Sequence, residues 1–258
     1  MAMNLDQLFS IQGRTALITG GSRGIGRMIA EGFVRAGARV HISSRKAAAC
    51  ETAARELSAL GHCVSLPADV STLEGIQGLV AAYEERESSL DILVNNAGVA
   101  WGAPYEEFPE SGWDRVADLN MKAPFFLTQA LTPMLKKAAT DHLAKVINIA
   151  SIDGITVNPW ETYSYAASKA GLIHLTRRMA LRLAPERICV SAIAPGPFGT
   201  DMNRAARDQT EEVAAHTPAG RVGVPEDMAG AAIYLASRAG DYVVGATLMV
   251  DGGAAWAR

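Results

Sequence analysis

Three residues near the middle of the chain are of types that together can move a proton. Ser151 ends the strand-like run N-I-A-S, and Tyr165 and Lys169 form the pattern Y-x-x-x-K at the start of a helix-like region. A spacing of four residues places both side chains on one helix face. Because a free tyrosine titrates near pH ~10 and a neighbouring ammonium favours its phenolate, we expect Lys169 to lower the pKa of Tyr165. The pattern predicts Tyr165 as a catalytic acid or base.

A tyrosine and a lysine at this spacing are also common on helix surfaces, so the prediction depends on its context. That context is a strand ending in serine, downstream of a glycine-rich turn. Tyr163 lies two residues before Tyr165, but the residue four positions after it is Ala167. We therefore predict that Tyr163 belongs to the substrate pocket and that Tyr165 is the acid.

The glycine-rich segment after the first strand-like run has the spacing of a phosphate-binding turn. Thr19–Gly26 reads T-G-G-S-R-G-I-G and leads directly into a helical pattern. Backbone N–H groups at a helix N-terminus attract anions, and glycines let a diphosphate approach them. The spacing G-x-x-x-G-x-G is a variant of the dinucleotide fingerprint, and a simple tight turn is the alternative. The predicted contacts are Gly20, Ser22, Arg23, Gly24, Ile25 and Gly26.

The end of the second strand discriminates between the two nicotinamide dinucleotides. An acidic residue there would bind the free ribose hydroxyl of NAD and repel the 2′-phosphate of NADP. The strand instead ends in Ser44 and is followed by Arg45, while Arg23 lies within the glycine turn. Guanidinium groups suit a phosphate, so the sequence predicts NADP. The alternative is that Arg45 is a surface residue that opens the next helix.

The elements that must position these residues alternate between strand and helix along the whole chain. Seven strand-like runs are separated by helical patterns, which predicts a doubly wound α/β Rossmann fold with a mostly parallel seven-stranded sheet and helices on both faces. We expect a single domain over residues 1–258, with a cofactor half at about 14–150 and a catalytic half at about 151–258. The long polar span Pro197–Gly220 predicts a lid.

Composition excludes several classes of function. The net charge is −3 and the pI is near 6.0, whereas nucleic-acid binders carry a basic surface. The three cysteines are far apart, and no His, Asp or Glu cluster has metal-ligand spacing, so we predict no metal and no disulfide framework. The N-terminus lacks the pattern of a secretory signal, and no apolar run could span a bilayer. We expect a cytoplasmic protein.

The motifs together resemble the short-chain dehydrogenase/reductase family over essentially the full length. The matching features are T-G-x-x-x-G-x-G at Thr19–Gly26, Asp69-Val70, N-N-A-G at Asn95–Gly98, Asn120, Ser151, Tyr165 with Lys169, Pro195-Gly196 and V-D-G-G at Val250–Gly253. Within the family, the chain is most similar to bacterial 3-oxoacyl-acyl-carrier-protein reductases, and in particular to the branch linked to rhamnolipid synthesis. One departure is Ser191, which stands after Val190 where the family usually has asparagine.

The resemblance implies a role for each catalytic residue. Tyr165 would protonate the substrate oxygen, and Ser151 would hydrogen-bond that oxygen. Lys169 would hold the nicotinamide ribose, and Asn120 would position a water that relays protons to Lys169. The further cofactor contacts that it implies are Asp69 and Val70 at the adenine, Asn96, Ala97 and Gly98 at the middle of the cofactor, and Pro195, Gly196 and Thr200 at the nicotinamide.

The expected reaction is reduction of a 3-oxoacyl thioester by NADPH. The residues predicted to line the pocket are mostly apolar, which suits an acyl chain: Trp101, Ile152, Val157, Trp160, Phe198 and Met202. An acyl carrier protein is a candidate partner, with Arg177, Arg178 and Arg187 as its basic rim, and the resemblance implies a homotetramer. The alternatives are reduction of a sugar, cyclic or steroid ketone, an epimerase or dehydratase, and a catalytically silent dinucleotide-binding regulator.

Overall fold

The seven strands form one parallel sheet. The computed structural model describes residues 4–257, and the sheet order is β3-β2-β1-β4-β5-β6-β7. The strands are β1 (Thr15–Thr19), β2 (Arg39–Ser43), β3 (Cys63–Ser65), β4 (Ile92–Asn95), β5 (Ala144–Ile149), β6 (Ile188–Pro195) and β7 (Thr247–Val250). Every pairing is parallel, so the predicted doubly wound fold is confirmed.

Ten α-helices surround the sheet among the described residues. They are α1 (Leu5–Leu8), α2 (Gly24–Arg35), α3 (Ala47–Ser58), α4 (Leu73–Glu84), α5 (Glu110–Ala117), α6 (Ala123–Ala138), α7 (Tyr163–Leu183), α8 (Arg204–Asp208), α9 (Thr210–Ala215) and α10 (Pro225–Ala236). Short 3₁₀ turns complete the connections. None of these helices combines the length and apolar character needed to cross a membrane.

Two apolar layers hold the helices on the sheet, one on each face. Helices α2, α3 and α10 supply one layer, in which Phe33 and Met228 are fully buried. Helices α4, α6 and α7 supply the other, in which Leu79 and Leu131 are almost completely buried. Because both faces are covered, the central strands are buried along their whole length rather than at alternate residues.

The strand order reverses between β1 and β4, and this fixes where a ligand can bind. From β1 the chain proceeds outward through β2 to β3, and then returns to place β4 on the other side of β1. The loops after β1 and β4 therefore diverge and leave a crevice at the carboxyl edge of the sheet. The glycine turn and the N-N-A-G segment both lie at this edge.

Two segments differ from the pattern expected from sequence. The helical pattern of the sequence runs from Ser111 toward Lys137 without a break, but in the structure a π-helical turn at Asp118–Lys122 joins α5 to α6. A π turn shifts the side chains that follow it, and such turns are frequent at functional sites. The span Pro197–Gly220 contains α8 and α9.

A chain of hydrogen bonds between buried side chains crosses the middle of the sheet. The Asn95 amide on β4 donates to Thr128 of α6 at 3.1 Å and to Asn148 of β5 at 2.8 Å. Asn148 in turn donates to Thr176 of α7 at 2.9 Å. All four residues are buried. These hydrogen bonds connect helix α6 to helix α7 by way of strands β4 and β5.

Candidate active site

The glycine turn is a backbone cradle at the start of α2. Gly20 and Gly24 have φ values of +67° and +54°, a region that a side chain makes costly. A Cβ on Gly26 would collide with the carbonyl oxygen of Gly20. Arg23, at the N-cap of α2, has a side chain that accepts no hydrogen bond from the N–H groups of the helix. The first N–H groups of α2 thus remain available to an anion, and the residues fit the diphosphate of a dinucleotide.

Thr19 and Asn96 bind the glycine turn to the loop after β4. The Thr19 hydroxyl accepts hydrogen bonds from the N–H groups of Asn96 and Ala97, both at 3.0 Å. The Asn96 amide donates to the carbonyls of Thr19 at 2.9 Å and Gly20 at 3.2 Å. Asn96 therefore braces the phosphate cradle, and this role could have been suspected from the threonine and asparagine that flank the two glycine-containing motifs.

The two arginines predicted to select NADP have different surroundings. Arg23 is paired with Asp201 at 2.6 Å, so its guanidinium lies against the loop after β6. Arg45 is in no ion pair among the described residues and follows directly after Ser44, whose buried hydroxyl has no hydrogen-bond partner. An unsatisfied hydroxyl beside an arginine at the end of β2 fits a 2′-phosphate.

The remaining predicted cofactor residues also lie at the carboxyl edge. Asp69 follows β3 and caps its own turn, since its carboxylate accepts from the N–H and the hydroxyl of Ser71 at 3.1 and 2.7 Å. Gly196 directly follows β6 and lies so close to Asp251 that a Cβ would be 2.6 Å from the Asp251 Cα. The Thr200 side chain lies 3.5 Å from the position of a Cβ on Gly24, so the loop after β6 covers the glycine turn.

Ser151, Tyr165 and Lys169 converge at the end of β5. Ser151 follows β5 and α7 carries the other two, one turn apart. The Lys169 ammonium is buried, donates to the Ile149 carbonyl at 2.7 Å and lies 5.6 Å from the centre of the Tyr165 ring. A Cβ on Gly98 would be 3.7 Å from Lys169 Nζ, so the loop after β4 closes over the lysine.

The pKa of Tyr165 corrects the expectation from sequence. We expected Lys169 to lower it, but burial raises the pKa of Tyr165 to about 12, only partly offset by a hydrogen bond with the Ser151 hydroxyl. Burial also lowers the pKa of Lys169 to about 8. Asp153, two residues after Ser151, raises both values. The phenol is thus held protonated, and the ammonium points at a carbonyl rather than at the phenol oxygen.

Asn120 lies in the π-helical turn and braces the catalytic segment. Its Oδ1 accepts from the Val99 N–H at 2.9 Å, and its Nδ2 donates to the Val99 carbonyl at 2.9 Å and to Ser168 at 3.1 Å. Ser168, which sequence reasoning did not single out, also donates to the Tyr165 carbonyl at 2.8 Å. Asn120 thereby ties the loop after β4 to α7 beside Lys169. The proton-relay role of Asn120 stays a prediction.

The predicted pocket residues divide into buried and exposed groups. Phe198 is 2% exposed and packs against Gly223, and Trp101 packs on Gly112. By contrast, Val157, Trp160 and Met202 are 100%, 62% and 52% exposed. Within one chain, Phe198 and Trp101 therefore belong to the inner pocket, whereas the three exposed residues border its mouth.

The arginines suggested as a basic rim do not border this mouth within one chain. Helix α7 begins at the catalytic edge and runs back toward the amino ends of the strands, so Arg177 lies 12 residues, or ~18 Å along the helix, beyond Tyr165. Arg187 donates to the carbonyls of Ala139 and His142, next to the start of β5. The expectation fails because helix direction places them at the opposite edge.

A group of potential metal ligands lies away from the site. Ligand atoms of His41, His62 and Glu87 are within 4.8 Å of one another. The same Glu87 oxygen accepts from Arg39 at 2.7 Å and contacts His41 at 3.0 Å. Because a guanidinium already neutralises the carboxylate, this group is an ion-pair cluster.

Comparisons with known proteins agree with this geometry. The family model described as "Enoyl-(Acyl carrier protein) reductase" matches residues 20–255. The rhamnolipids biosynthesis 3-oxoacyl-[acyl-carrier-protein] reductase of Pseudomonas aeruginosa is 47% identical over 249 residues, which cover 95% of this chain and 97% of the relative. The 5-keto-D-gluconate 5-reductase of Escherichia coli K12 is 38% identical over 258 residues, covering 96% and 98%.

A solved structure has nearly the same fold. The RhlG/NADP active-site complex of Pseudomonas aeruginosa superposes with a TM-score of 0.93 at 46% identity, covering 98% of this chain and 100% of that chain. The crevice, the glycine turn and the Ser151, Tyr165 and Lys169 set define a dinucleotide-dependent oxidoreductase. The chain belongs to the short-chain dehydrogenase/reductase family, as the resemblance predicted.

Proposed function

We propose that the protein reduces a 3-oxoacyl thioester to the 3-hydroxyacyl product, with NADPH as the reductant. The observation that carries the proposal is the convergence of Ser151, Tyr165 and Lys169 at the edge that also holds the glycine turn. The NADP complex of a similar protein and the unpartnered Ser44 hydroxyl beside Arg45 support NADPH. The 3-oxoacyl reductase named among the relatives supports the substrate.

Ser151 and Tyr165 handle the substrate oxygen in this mechanism. NADPH supplies the hydride to the carbonyl carbon when it is bound. The Ser151 hydroxyl donates a hydrogen bond to the carbonyl oxygen, where negative charge develops. Tyr165, with its pKa raised to about 12, is protonated at neutral pH and transfers its phenol proton to the same oxygen. The phenol therefore carries the proton that the reduction requires, although its raised pKa makes it a weaker acid than a free tyrosine.

Lys169 stabilises the phenolate that remains. Its pKa is lowered to about 8, so the ammonium form still dominates at neutral pH. The hydrogen bond to the Ile149 carbonyl fixes the ammonium beside the Tyr165 ring. Asn120 and Ser168 fix the start of α7, and so position both groups. The proposed contacts of Lys169 with the nicotinamide ribose would orient the cofactor against Ser151.

The proposal also covers a lid, the carrier of the substrate, the location of the enzyme and its oligomeric state. The segment 197–220 would act as a lid over the cofactor and substrate, because it covers the glycine turn through Thr200 and Asp201. Carrier protein and coenzyme A thioesters are both candidate substrates, within fatty acid metabolism in the cytoplasm. A homotetramer fits the exposed Trp113 and Phe125 on α5 and α6, and the edge position of β7.

The deciding experiment measures NADPH oxidation with matched substrates. We expect kcat/KM for acetoacetyl and longer 3-oxoacyl thioesters to exceed that for simple ketones and for 5-keto-D-gluconate by at least ~10-fold, since an apolar pocket leaves sugar hydroxyls unsatisfied. A preference for the ketosugar would replace the substrate and retain the reductase, in line with the second relative. NADPH binding without turnover on any carbonyl would instead support a silent regulator.

A further inference from the structure

Two loops at the mouth of the site carry a one-sided charge. Residues 99–110, after β4, and residues 151–162, after β5, contain no lysine, arginine or histidine. Their five carboxylates belong to Glu106, Glu107, Glu110, Asp153 and Glu161. We refer to these two loops together as the acidic lip.

Contacts join the two loops of the acidic lip into one surface beside the catalytic tyrosine. The Ala103 N–H donates to the Glu161 carbonyl at 3.2 Å, and the Tyr105 N–H donates to the Glu161 carboxylate at 3.2 Å. The rings of Tyr105 and Tyr163 stack edge-on at 5.6 Å, and the Tyr163 hydroxyl donates to Glu161 at 3.2 Å. Since Tyr163 opens α7 two residues before Tyr165, this surface borders the entrance.

The acidic lip is also apolar. Tyr105 is 71% exposed, and Trp160 and Val157 on the same two loops are 62% and 100% exposed. Exposed aromatic and aliphatic groups next to an active site favour an apolar ligand. The surrounding carboxylates repel anions at close range. An acyl chain meets both conditions, whereas the phosphates of coenzyme A or the acidic surface of a carrier protein meet neither.

The opposite border of the cleft is much less acidic than the lip. Helix α8, after β6, carries Arg204 and Arg207, and the segment before it is tied to Arg23 of the glycine turn through Asp201. Asp201 also pairs with Arg207 at 2.7 Å. Counting Arg23, Arg204 and Arg207 against Asp201, Asp208, Glu211 and Glu212 leaves this border with one negative charge in excess, compared with five for the acidic lip.

We propose that the acidic lip orients the substrate by charge: the acyl chain lies against the lip, and the anionic carrier lies on the side of α8. This inference rests on the proposed reduction of thioesters. It makes Glu106 and Glu107, which are exposed and touch no catalytic residue, determinants of carrier specificity. Neither residue takes part in a side-chain hydrogen bond or ion pair within residues 4–257.

The test compares one acyl group on two carriers. Acetoacetyl-coenzyme A is polyanionic, whereas acetoacetyl-N-acetylcysteamine is neutral. In Glu106→Lys/Glu107→Lys we expect the ratio of kcat/KM for the coenzyme A thioester over the neutral thioester to rise ~10-fold at low ionic strength, and the gain to shrink as salt is added. The matched control is Glu84→Lys/Glu85→Lys, which changes the net charge equally at the amino end of the sheet, where α4 ends. Its ratio should stay within ~2-fold of that of the unmodified enzyme.

A second variant tests the other border. Arg204→Glu should lower the same ratio several-fold and leave the neutral thioester unaffected. Equal ratios in the lip variant and in its control would overturn the inference, as would a rise with Arg204→Glu.

The failure of the proposed function is a different result. If neither thioester is reduced, that function is wrong, and the lip is then tested with ethyl 3-oxobutanoate against the 3-oxobutanoate anion. Calorimetric titration of coenzyme A into the NADP complex supplies a readout without turnover. Tighter binding in the lip variant supports the lip, and unchanged binding contradicts it.

Discussion

The cofactor cradle and the acidic lip lie at the same edge of the sheet but are built in different ways. The cradle consists of backbone, glycines and short side chains: Thr19 is 3% exposed, and the Asn96 amide bonds two carbonyls of the turn. The lip consists of exposed side chains on loops, where Val157 is 100% exposed. On the proposed assignments, cofactor binding would depend on the shape of the main chain, whereas substrate choice would depend on replaceable surface groups.

We expect the largest effect on turnover from substitution of Tyr165, the proposed proton donor. Tyr165→Phe removes only the hydroxyl group, which is the proposed proton donor. We therefore expect turnover to fall ~10²–10⁴-fold and the affinity for NADPH to remain nearly unchanged. Stopped-flow reduction and NADPH fluorescence titration measure the two quantities. Tyr163→Phe, the matched control at the lip, should stay within a few-fold of the unmodified enzyme. A reversal of the two phenotypes would show that Tyr163 is the acid.

The cofactor cradle should respond next, through its few side chains. Ser44→Asp/Arg45→Ala places a carboxylate where the 2′-phosphate would lie and removes the nearby guanidinium. Because a hydrogen bond to a charged group is worth ~1.5–3 kcal/mol, the preference for NADPH over NADH should fall ~100-fold. The ratio of kcat/KM for the two cofactors measures it, and Arg35→Ala, at the far end of α2, is the control. Equal use of both cofactors by the unmodified enzyme would contradict the role given to Arg45.

A smaller effect is expected on the pH dependence of kcat. The pKa of Lys169 is lowered to about 8, so its charge is present below pH 8 and lost above it, and reductive kcat should decline above pH 8. Asp153 raises the pKa of Lys169 and of Tyr165, so Asp153→Asn should move this decline to lower pH. Profiles of kcat between pH ~6 and ~10 test the shift. An unmoved profile would mean that Asp153 does not act on these groups.

The smallest effect should appear where the cofactor cradle contacts the loop after β6. Arg23 and Asp201 form an exposed pair, with side chains 72% and 54% exposed, which is worth ~0–1 kcal/mol. If Arg23 must leave Asp201 to bind the 2′-phosphate, Asp201→Asn should tighten NADPH binding up to ~5-fold and leave NADH binding unchanged. Equilibrium titration measures both. Weaker NADPH binding in this variant would indicate that Asp201 instead holds Arg23 in place for the cofactor.

The sequence predicted the sheet and the cradle because their causes are local. Apolar runs, helix periodicity and the glycines of Thr19–Gly26 each determine nearby backbone, and the parallel order follows from the alternation. The raised pKa of Tyr165 could not be predicted, since burial arises from segments far apart in the chain. Neither could the ion pair of Arg23 with Asp201, which lie 178 positions apart. The direction of α7, which removes Arg187 from the mouth, was implicit in the alternation of strand and helix.

The row of hydrogen bonds from Thr128 through Asn95 and Asn148 to Thr176 limits which substitutions this sequence can accept. A buried amide that loses its partner costs ~1–3 kcal/mol, whereas an apolar pair in place of both partners costs little. Each single substitution therefore meets a penalty that its neighbours would have to remove in later steps. The same bonds are made only when Asn95 lies opposite Asn148, the register found between β4 and β5. Single substitutions among these four residues are therefore disfavoured, whereas substitutions in the exposed loops at the edge of the sheet carry no such penalty.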